Sequence, residues 1–218
     1  MVAFKGSSPT VSIRPRRSAA MRRLSVPAYA AENLTVTSRW HSAPVCLPRS
    51  LPTMPVTLFT FDNLTESQWA VVNDGVMGGR SRGAVAVRGG TLRFTGTLVT
   101  QGGGFTLTRA PCQANLTGQA GVELRVRGSG RRFQVEIDDG TRRFGRNVSR
   151  RADFDTSTAW SVVRVPFTAL RSTIFGQAVS APPIDLAHIQ NIGLYMADGQ
   201  DGPFALEVDS IQAYDARG

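Results

Sequence analysis

From Pro55 onward the chain alternates between hydrophobic and polar residues in short runs that Gly, Pro, Asn and Asp separate. The runs "VTLFTFD", "AVAVR", "LRFTGTLV", "FTLTR" and "VELRVRG" begin at Val56, Ala84, Leu92, Phe105 and Val122. A two-residue period puts alternate side chains on opposite faces, so each run predicts a β-strand with one buried face. "AWSVVRVPF", "IQNIGLYMA" and "FALEVDSIQAYDA" predict further strands, and "DGQDGP" separates the last two.

The stretch "RRFQVEIDDGTRRFGRNVS" predicts a β-hairpin. It places Phe133, Val135 and Ile137 on one face, turns at Asp139-Gly140 and returns with Phe144. Asp-Gly is a strong hairpin signal, because both central turn positions favour positive φ.

About ten such strands at regular spacing indicate one fold class. A short helical turn is expected only near Thr168 to Arg171. The sequence therefore predicts an all-β fold, an antiparallel β-sandwich or jelly roll, over residues 54–218 as a single domain. The strands near Leu58 and Val208 are expected to join the same body.

The charge is unevenly distributed along the chain. Residues 1–53 hold Lys5 and seven arginines against Glu32, a net charge of +7, whereas the rest holds 17 arginines against 15 acids, or +2. A nearly neutral body gives little support to a nucleic-acid partner. No run approaches the roughly 18–20 apolar residues of a membrane span, so the chain is not expected to span a membrane.

Residues 1–53 form a basic leader that we expect to be disordered. The segment is rich in Arg, Ser, Pro and Ala and has no period that could bury a face. Three interpretations stay open: a start codon assigned too far upstream, an organelle transit peptide, or a functional basic tail. The expected compartment is the cytoplasm for a bacterial protein and the mitochondrion if the leader is a transit peptide.

Catalytic and metal-binding patterns are scarce. Cys46 and Cys112 have no CxxC spacing, and His188 is the only histidine after residue 53. We therefore expect no metal, no cofactor and no enzyme activity, and we expect Cys112 to be a buried or loop thiol. Glu136 and Asp138 share a strand face and are the remaining candidates for a carboxylate-based activity.

Two glycine-rich stretches are the candidate site: "NDGVMGGRSRG" from Asn73 to Gly83, and "QGGGF" from Gln101 to Phe105. In a geometric interpretation they are a tight turn with Met77 filling a core gap, and a corner where a strand changes sheets. In a recognition interpretation their backbone N–H groups and arginines bind a partner. The candidate binding residues are Asn73, Asp74, Met77, Gly78, Gly79, Arg80, Ser81, Gly102, Gly103, Gly104 and Phe105.

Three other features have less specific patterns. Trp69 and Trp160 lie in apolar strand context, which favours core packing over stacking on a sugar. Asp138, Asp139, Asp153 and Asp155 flank the arginines between Arg142 and Arg151, which favours a solvated, ion-paired hairpin. Asp198 to Gly202, "DGQDG", is expected to be a hairpin loop, because it lacks the ligand spacing of a calcium loop.

The ordered motifs from Phe59 to Tyr214 resemble the complex I intermediate-associated protein 30 family. They are "VNDGVMGGRSRG", "LRFTGTL", "QGGGFTLTR", "VELRVRGSGRRF", "WSVVRVPF" and "IGLYMADGQDGPFALEVDSIQAY". The resemblance implies a galactose-binding-like jelly roll related to carbohydrate-binding modules. It also implies a non-catalytic assembly factor of respiratory NADH:ubiquinone oxidoreductase, with protein subunits or assembly intermediates as partners. A glycan or small ligand is the alternative partner, because fold does not determine function.

Deletion of residues 1–53 is expected to leave the thermal unfolding midpoint of the remaining chain unchanged, because the hydrophobic alternation begins after this segment. Differential scanning calorimetry of the full and shortened chains tests this. A large fall in the midpoint would show that the leader packs on the domain.

Overall fold

The structure of the protein is a computed structural model that describes residues 55–62 and 68–216. The predicted disordered leader, residues 1–53, lies outside the described residues, and its disorder stays a prediction. The described residues all belong to one unit of the chain, Arg49–Gly218.

Fifteen strands make up most of the described chain. They are β1 (Val56–Phe59), β2 (Ala70–Asn73), β3 (Arg82–Arg88), β4 (Thr91–Leu98), β5 (Thr106–Ala114), β6 (Gly121–Gly128), β7 (Arg132–Asp138), β8 (Arg142–Arg143), β9 (Arg146–Asn147), β10 (Ser149–Asp155), β11 (Ser161–Pro166), β12 (Arg171–Ile174), β13 (Gln177–Ala178), β14 (Ile189–Met196) and β15 (Gly202–Tyr214). Two single 3₁₀ turns, Asp74–Met77 and Phe167–Ala169, accompany them. No helix in the described ranges is long and apolar enough to cross a membrane.

The strands form two large antiparallel sheets and one small hairpin. In the first sheet the order is β11-β6-β15-β4-β3, and β1 also pairs with β15. In the second sheet the order is β13-β12-β10-β7-β14-β5-β2, while β8 and β9 pair only with each other. Thr57 pairs with Gln212, so β1 and β15 join the same body as predicted, and they lie in the same sheet. The predicted all-β sandwich is confirmed.

The core lies between the two sheets and is built from the alternate residues that the sequence pattern predicts. Phe133, Val135 and Ile137 of β7 are fully buried. Phe204 of β15 contacts two other rings edge-on. Its ring centroid lies 5.0 Å from that of Phe94 in the same sheet and 6.1 Å from that of Phe133 in the opposite sheet. Interdigitated aromatic side chains of this kind supply much of the apolar burial in a two-layer fold.

Trp69 and Trp160 have different environments. Trp69 is buried and lies 5.2 Å from the ring of Phe59, as expected. The prediction that Trp160 belongs to the core is wrong, because Trp160 is only half-buried and precedes the edge strand β11. The guanidinium groups of Arg125 and Arg127 lie 5.2 and 4.9 Å from its ring. Its apolar surface is therefore covered by cation–π contacts on the outside of the first sheet.

The chain does turn at Asp139-Gly140, but the predicted return with Phe144 is wrong. The strand that returns after this turn to pair with β7 is β10, in which Phe154 faces Phe133. The Asp139 carboxylate is buried and accepts hydrogen bonds from Arg150 at 3.2 Å and from the Asp185 N–H at 2.9 Å. These bonds hold the base of the loop, so residues 142–147 form a separate small hairpin beyond it.

Candidate functional site

A buried carboxylate joins the two glycine-rich stretches. Asp74 begins the 3₁₀ turn after β2, and its side chain is inaccessible to solvent. Its Oδ2 atom accepts hydrogen bonds from the Ser81 hydroxyl at 2.6 Å and from the N–H groups of Gly104 and Phe105 at 2.7 and 3.3 Å. Its Oδ1 atom accepts the N–H of Ser81 at 3.0 Å. The structure thus brings "NDGVMGGRSRG" and "QGGGF" together, as the sequence predicts.

The same hydrogen bonds keep Asp74 ionised. Burial opposes ionisation of the carboxyl, but the hydrogen bonds from Ser81, Gly104 and Phe105 together outweigh it and lower the pKa of Asp74 below its ordinary value. A buried charge that accepts four hydrogen bonds is stable only while all its donors stay in place.

Close approach to this carboxylate explains several of the glycines. A Cβ atom added to Gly79 or Gly103 would overlap the Asp74 side chain. Gly78 is required for a different reason: its φ is 86° and it ends the 3₁₀ turn in the left-handed region, with open space around it. The geometric interpretation therefore accounts for these three glycines.

Polar side chains that the recognition interpretation placed on the surface are internal. Asn73 Oδ1 accepts the Gly83 N–H at 2.9 Å and the Thr106 hydroxyl at 2.7 Å. Ser81 is buried, and its hydroxyl oxygen also accepts a hydrogen bond from the Val99 N–H at 3.1 Å. The expectation that Ser81 is an exposed contact residue is wrong, because its hydroxyl donates a hydrogen bond to the buried Asp74 carboxylate.

Two members of the candidate set are exposed instead. Met77 is 59% exposed, so the expectation that it fills a core gap is wrong. Arg80 is also exposed and donates to the Gln101 side chain at 2.6 Å, which links the outer surfaces of the two stretches. A role for either residue in recognition stays a prediction.

A groove of about 730 Å³ runs across the outer face of the second sheet, next to this junction. Its floor consists of side chains that alternate with the core residues of each strand: Val72, Leu107, Arg109, Gln134, Glu136, Arg151, Asp153, Arg171, Thr173 and Tyr195. Met77 and the segment Gly103-Gly104-Phe105 line it near β2 and β5, and Arg146 and Ile174–Gly176 line it at the opposite edge. The Asp74 junction therefore shapes one wall of the groove.

Four side chains form a connected cluster along this floor. Phe105 stacks on Tyr195 with ring centroids 5.4 Å apart, and the guanidinium of Arg151 lies 3.8 Å from the centre of the Tyr195 ring. Arg151 also donates to Glu136 at 2.7 Å. Burial raises the pKa of Tyr195, and Arg151 only partly offsets this, so the hydroxyl stays neutral at physiological pH.

The groove has an excess of positive charge. Its charged side chains are Arg109, Arg146, Arg151 and Arg171 against Glu136 and Asp153, which gives 4 − 2 = +2. Arg151 is paired with Glu136 and Arg171 lies 3.8 Å from Asp153. Within the part of the chain that the structure describes, Arg109 and Arg146 have no carboxylate partner within 4.0 Å.

The remaining sequence expectations have mixed outcomes. Cys112 is buried, and burial raises the pKa of its thiol to about 11, which makes it a poor nucleophile. Asp198 pairs with Arg131 in the loop that connects β14 of the second sheet to β15 of the first. The expectation that "DGQDG" is a hairpin loop is wrong, because these two strands do not pair with each other. The arginines from 142 to 151 are only partly solvated, because Arg150 is 3% exposed. No group of three side chains in the described ranges is placed to hold a metal ion.

Sequence reasoning missed the groove floor. Tyr195 and Arg109 lie far apart in sequence and become neighbours because β14 pairs with both β5 and β7. The available signal was the presence of large polar and aromatic residues at the outward positions of strands "FTLTR" and "IGLYM". Such residues indicate that the outer face of these strands contributes to a binding surface. They do not indicate which strands are adjacent in the sheet.

Comparison with known sequences gives a family match. The sequence model of a family described as Complex I intermediate-associated protein 30 (CIA30) matches residues 59–208. A relative in Mus musculus, "Complex I intermediate-associated protein 30, mitochondrial", is 33% identical over 95 residues, which are 42% of this chain and 29% of the mouse protein. The matched segment therefore spans less than a third of that relative's length.

Comparison with solved structures gives the fold. A family 11 carbohydrate-binding module of Clostridium thermocellum, solved in complex with a β-1,3-1,4-mixed-linked tetrasaccharide, aligns with a TM-score of 0.56 at 15% identity over 74% of this chain and 96% of the module. An agarase aligns with a TM-score of 0.52 at 14% identity over 74% of this chain and 24% of that enzyme. At these identities the likeness supports the β-sandwich fold alone.

Replacing Asp74 with Asn is expected to lower the free energy of unfolding by about 2–4 kcal/mol at neutral pH, because an amide cannot accept all four hydrogen bonds. The lowered pKa of Asp74 makes this loss pH-dependent. The ionised carboxylate makes its full contribution to the free energy of unfolding above the ordinary Asp pKa of about 3.9. This contribution disappears as the pH falls through the lower pKa of the folded state. Urea titrations should therefore show the difference between wild type and Asp74→Asn shrinking in acid; a difference independent of pH would contradict the assignment.

Gly79→Ala is expected to destabilise the protein by about 3 kcal/mol or more, because the new Cβ displaces the Asp74 carboxylate. Gly78→Ala meets open space and should cost about 1 kcal/mol from its positive φ alone. In an Asp74→Gly background, Gly79→Ala should lower the free energy of unfolding only slightly further, because the Asp74 side-chain atoms that the new Cβ would overlap are absent. Unfolding midpoints of the single and double variants measure this, and additive effects would exclude the overlap as the cause.

Proposed function

Because the chain belongs to the complex I intermediate-associated protein 30 family, we propose that it is a non-catalytic binding protein that assists the assembly of respiratory complex I. Its partner is a protein subunit or an assembly intermediate of that complex, and the groove on the second sheet is the binding surface. The observation that carries the proposal is the family match over residues 59–208, which includes strands of both sheets and both walls of the groove.

The chemistry of the groove supports a binding role. Its two carboxylates, Glu136 and Asp153, each lie next to an arginine, and Glu136 is held at 2.7 Å by Arg151. A carboxylate that already contacts an arginine is less available to contact a substrate. Aromatic residues, Met and Arg are, by contrast, the residue types enriched at protein interfaces, and Phe175, Met77 and Arg146 line this groove.

A glycan is the second candidate partner. Gln134, Arg109 and Glu136 lie beside the Phe105–Tyr195 pair, and polar side chains next to aromatic rings suit a sugar. One contact disfavours it: Arg151 already covers a face of the Tyr195 ring at 3.8 Å, so that face is not free for a sugar to stack on. We therefore rank the protein partner first.

The compartment that we propose for this chain depends on the role of residues 1–53 and on the mouse relative. The mouse relative is named as mitochondrial. We propose the same compartment for this chain if residues 1–53 act as a transit peptide, and the cytoplasmic side of a bacterial respiratory membrane if they do not.

Affinity capture from native respiratory membranes with the full-length chain is expected to enrich complex I subunits. Arg109→Glu reverses an exposed charge on the groove floor and should abolish the enrichment without changing the unfolding midpoint, because Arg109 has no described ion pair to lose. Arg88→Glu, an equal change on an exposed residue of β3 in the first sheet, is the matched control and should behave as wild type.

A glycan array with the same three proteins provides the comparison. Saturable glycan binding that Arg109→Glu abolishes, without enrichment of any complex I subunit, would replace the assembly role by the carbohydrate-binding one. Enrichment that survives Arg109→Glu would place the protein-binding surface elsewhere on the chain.

A further inference from the structure

Two neighbouring hairpin tips on this protein carry exposed phenylalanines in the left-handed backbone region. Phe144, between β8 and β9, has a φ of 51° and is 83% exposed, and Phe175, between β12 and β13, has a φ of 49° and is 66% exposed. In each tip the next residue, Gly145 or Gly176, also has a positive φ. Both turns therefore use a Phe-Gly pair in a geometry that favours Asn-Gly, Asp-Gly or Gly-Gly.

The turn geometry does not explain why these residues are phenylalanine. A bulky residue at positive φ is strained, and Asn or Gly would close either turn with less strain. Neither ring gains burial in the core to offset the strain, since both are among the exposed large hydrophobic side chains of the described chain. A strained, exposed phenylalanine occurs in both tips, which indicates that the two rings have a partner outside this chain.

Arginines surround the two rings, and carboxylates do not. The segments 140–151 and 171–178 contain no Asp or Glu. The guanidinium of Arg143 lies 5.1 Å from the Phe144 ring, and that of Arg146 lies 4.8 Å from the Phe175 ring, which also brings the two hairpins together. Arg142 donates to the Gly145 carbonyl at 2.6 Å, so it closes the hairpin while it keeps its full charge.

The arginines at the tips lack the ion pairs that several arginines on the outer face of the first sheet form, such as Arg93 and Arg127 with Glu207 and Arg164 with Glu123. In the ranges that the structure describes, no carboxylate lies within 4.0 Å of Arg142, Arg143 or Arg146. The hairpin tips are therefore electrostatically complementary to an anionic surface.

We propose that the paired tips, Phe144 and Phe175 with Arg142, Arg143 and Arg146, are a peripheral binding site for an anionic phospholipid membrane. At the apex of the small hairpin the ring lies outermost, and the arginines occupy the adjacent positions on both arms. That order matches a bilayer surface, where phosphates lie above the hydrocarbon, so the rings enter the acyl boundary while the guanidinium groups bind phosphates. A bilayer also accepts a projecting ring without a preformed pocket. Phe175 and Arg146 also line the edge of the groove, so vesicle binding and capture of a protein partner are measured on the same variants.

Vesicle co-sedimentation of the full-length chain tests the site. We expect binding to vesicles of about three parts phosphatidylcholine to one part phosphatidylglycerol, and much weaker binding to phosphatidylcholine alone or at high salt. The double variant Phe144→Asn/Phe175→Asn should lower the partition coefficient more than tenfold, and Arg146→Gln should lower it about fivefold. Asn tolerates positive φ, so the unfolding midpoint of the double variant should equal or exceed that of the wild type.

The control variants are Val162→Asn and Arg88→Gln on the first sheet, which remove an exposed apolar side chain and an exposed charge away from the tips. Both should bind vesicles as the wild type does. Residues 1–53 carry a net charge of +7 and are common to every variant, so only differences between variants report on the tips. Unchanged partitioning of the folded double variant would overturn the proposal. Loss of captured complex I subunits with unchanged vesicle binding would also overturn it and would identify the tips as a protein interface.

Discussion

The buried carboxylate of Asp74 holds together the end of the sandwich at which the chain crosses from one sheet to the other. A charge without access to water is strongly unfavourable unless it is fully hydrogen-bonded, and here one side chain accepts from Ser81, Gly104 and Phe105. Those donors belong to two loops that are far apart in sequence. The carboxylate therefore fixes the position of Phe105, and through Phe105 it fixes the Tyr195 ring in the groove.

The two outer faces of the sandwich differ in how their charge is balanced. On the first sheet, cross-strand pairs such as Arg164 with Glu123 offset part of the arginine charge. On the second sheet, Arg109 and the arginines of the small hairpin lie beside apolar side chains without such partners in the described chain. The second sheet therefore combines unpaired arginines with apolar and aromatic side chains in one groove.

The groove and the hairpin tips suggest a division of roles within one face. The floor is rigid, because Arg151 is held between Glu136 and the Tyr195 ring, and rigid polar groups suit recognition of a defined partner. The exposed tips instead lie at the ends of short strands, β8 and β9 for Phe144 and β12 and β13 for Phe175, which suits contact with a surface that has no fixed shape. A protein that binds assembly intermediates at a respiratory membrane would use both properties together.

The alternation of hydrophobic residues was enough to predict the all-β sandwich and the burial of residues such as Phe133 and Val135, because a two-residue period has one stable solution when one face must be buried. The glycine content of "NDGVMGGRSRG" and "QGGGF" indicated one candidate site, and the two stretches do lie together. Local sequence did not show that Ser81 is internal, that Gly79 must leave space for Asp74, or that Phe144 projects into solvent. Each of those facts depends on a contact between distant segments, and a side chain's burial follows from what packs against it rather than from its neighbours in sequence. The sequence by itself therefore determined the two layers and the core of this protein. Only the tertiary structure decided which polar residues hydrogen-bond to the buried Asp74 carboxylate and which face of the sandwich carries the groove, because both depend on contacts between distant segments.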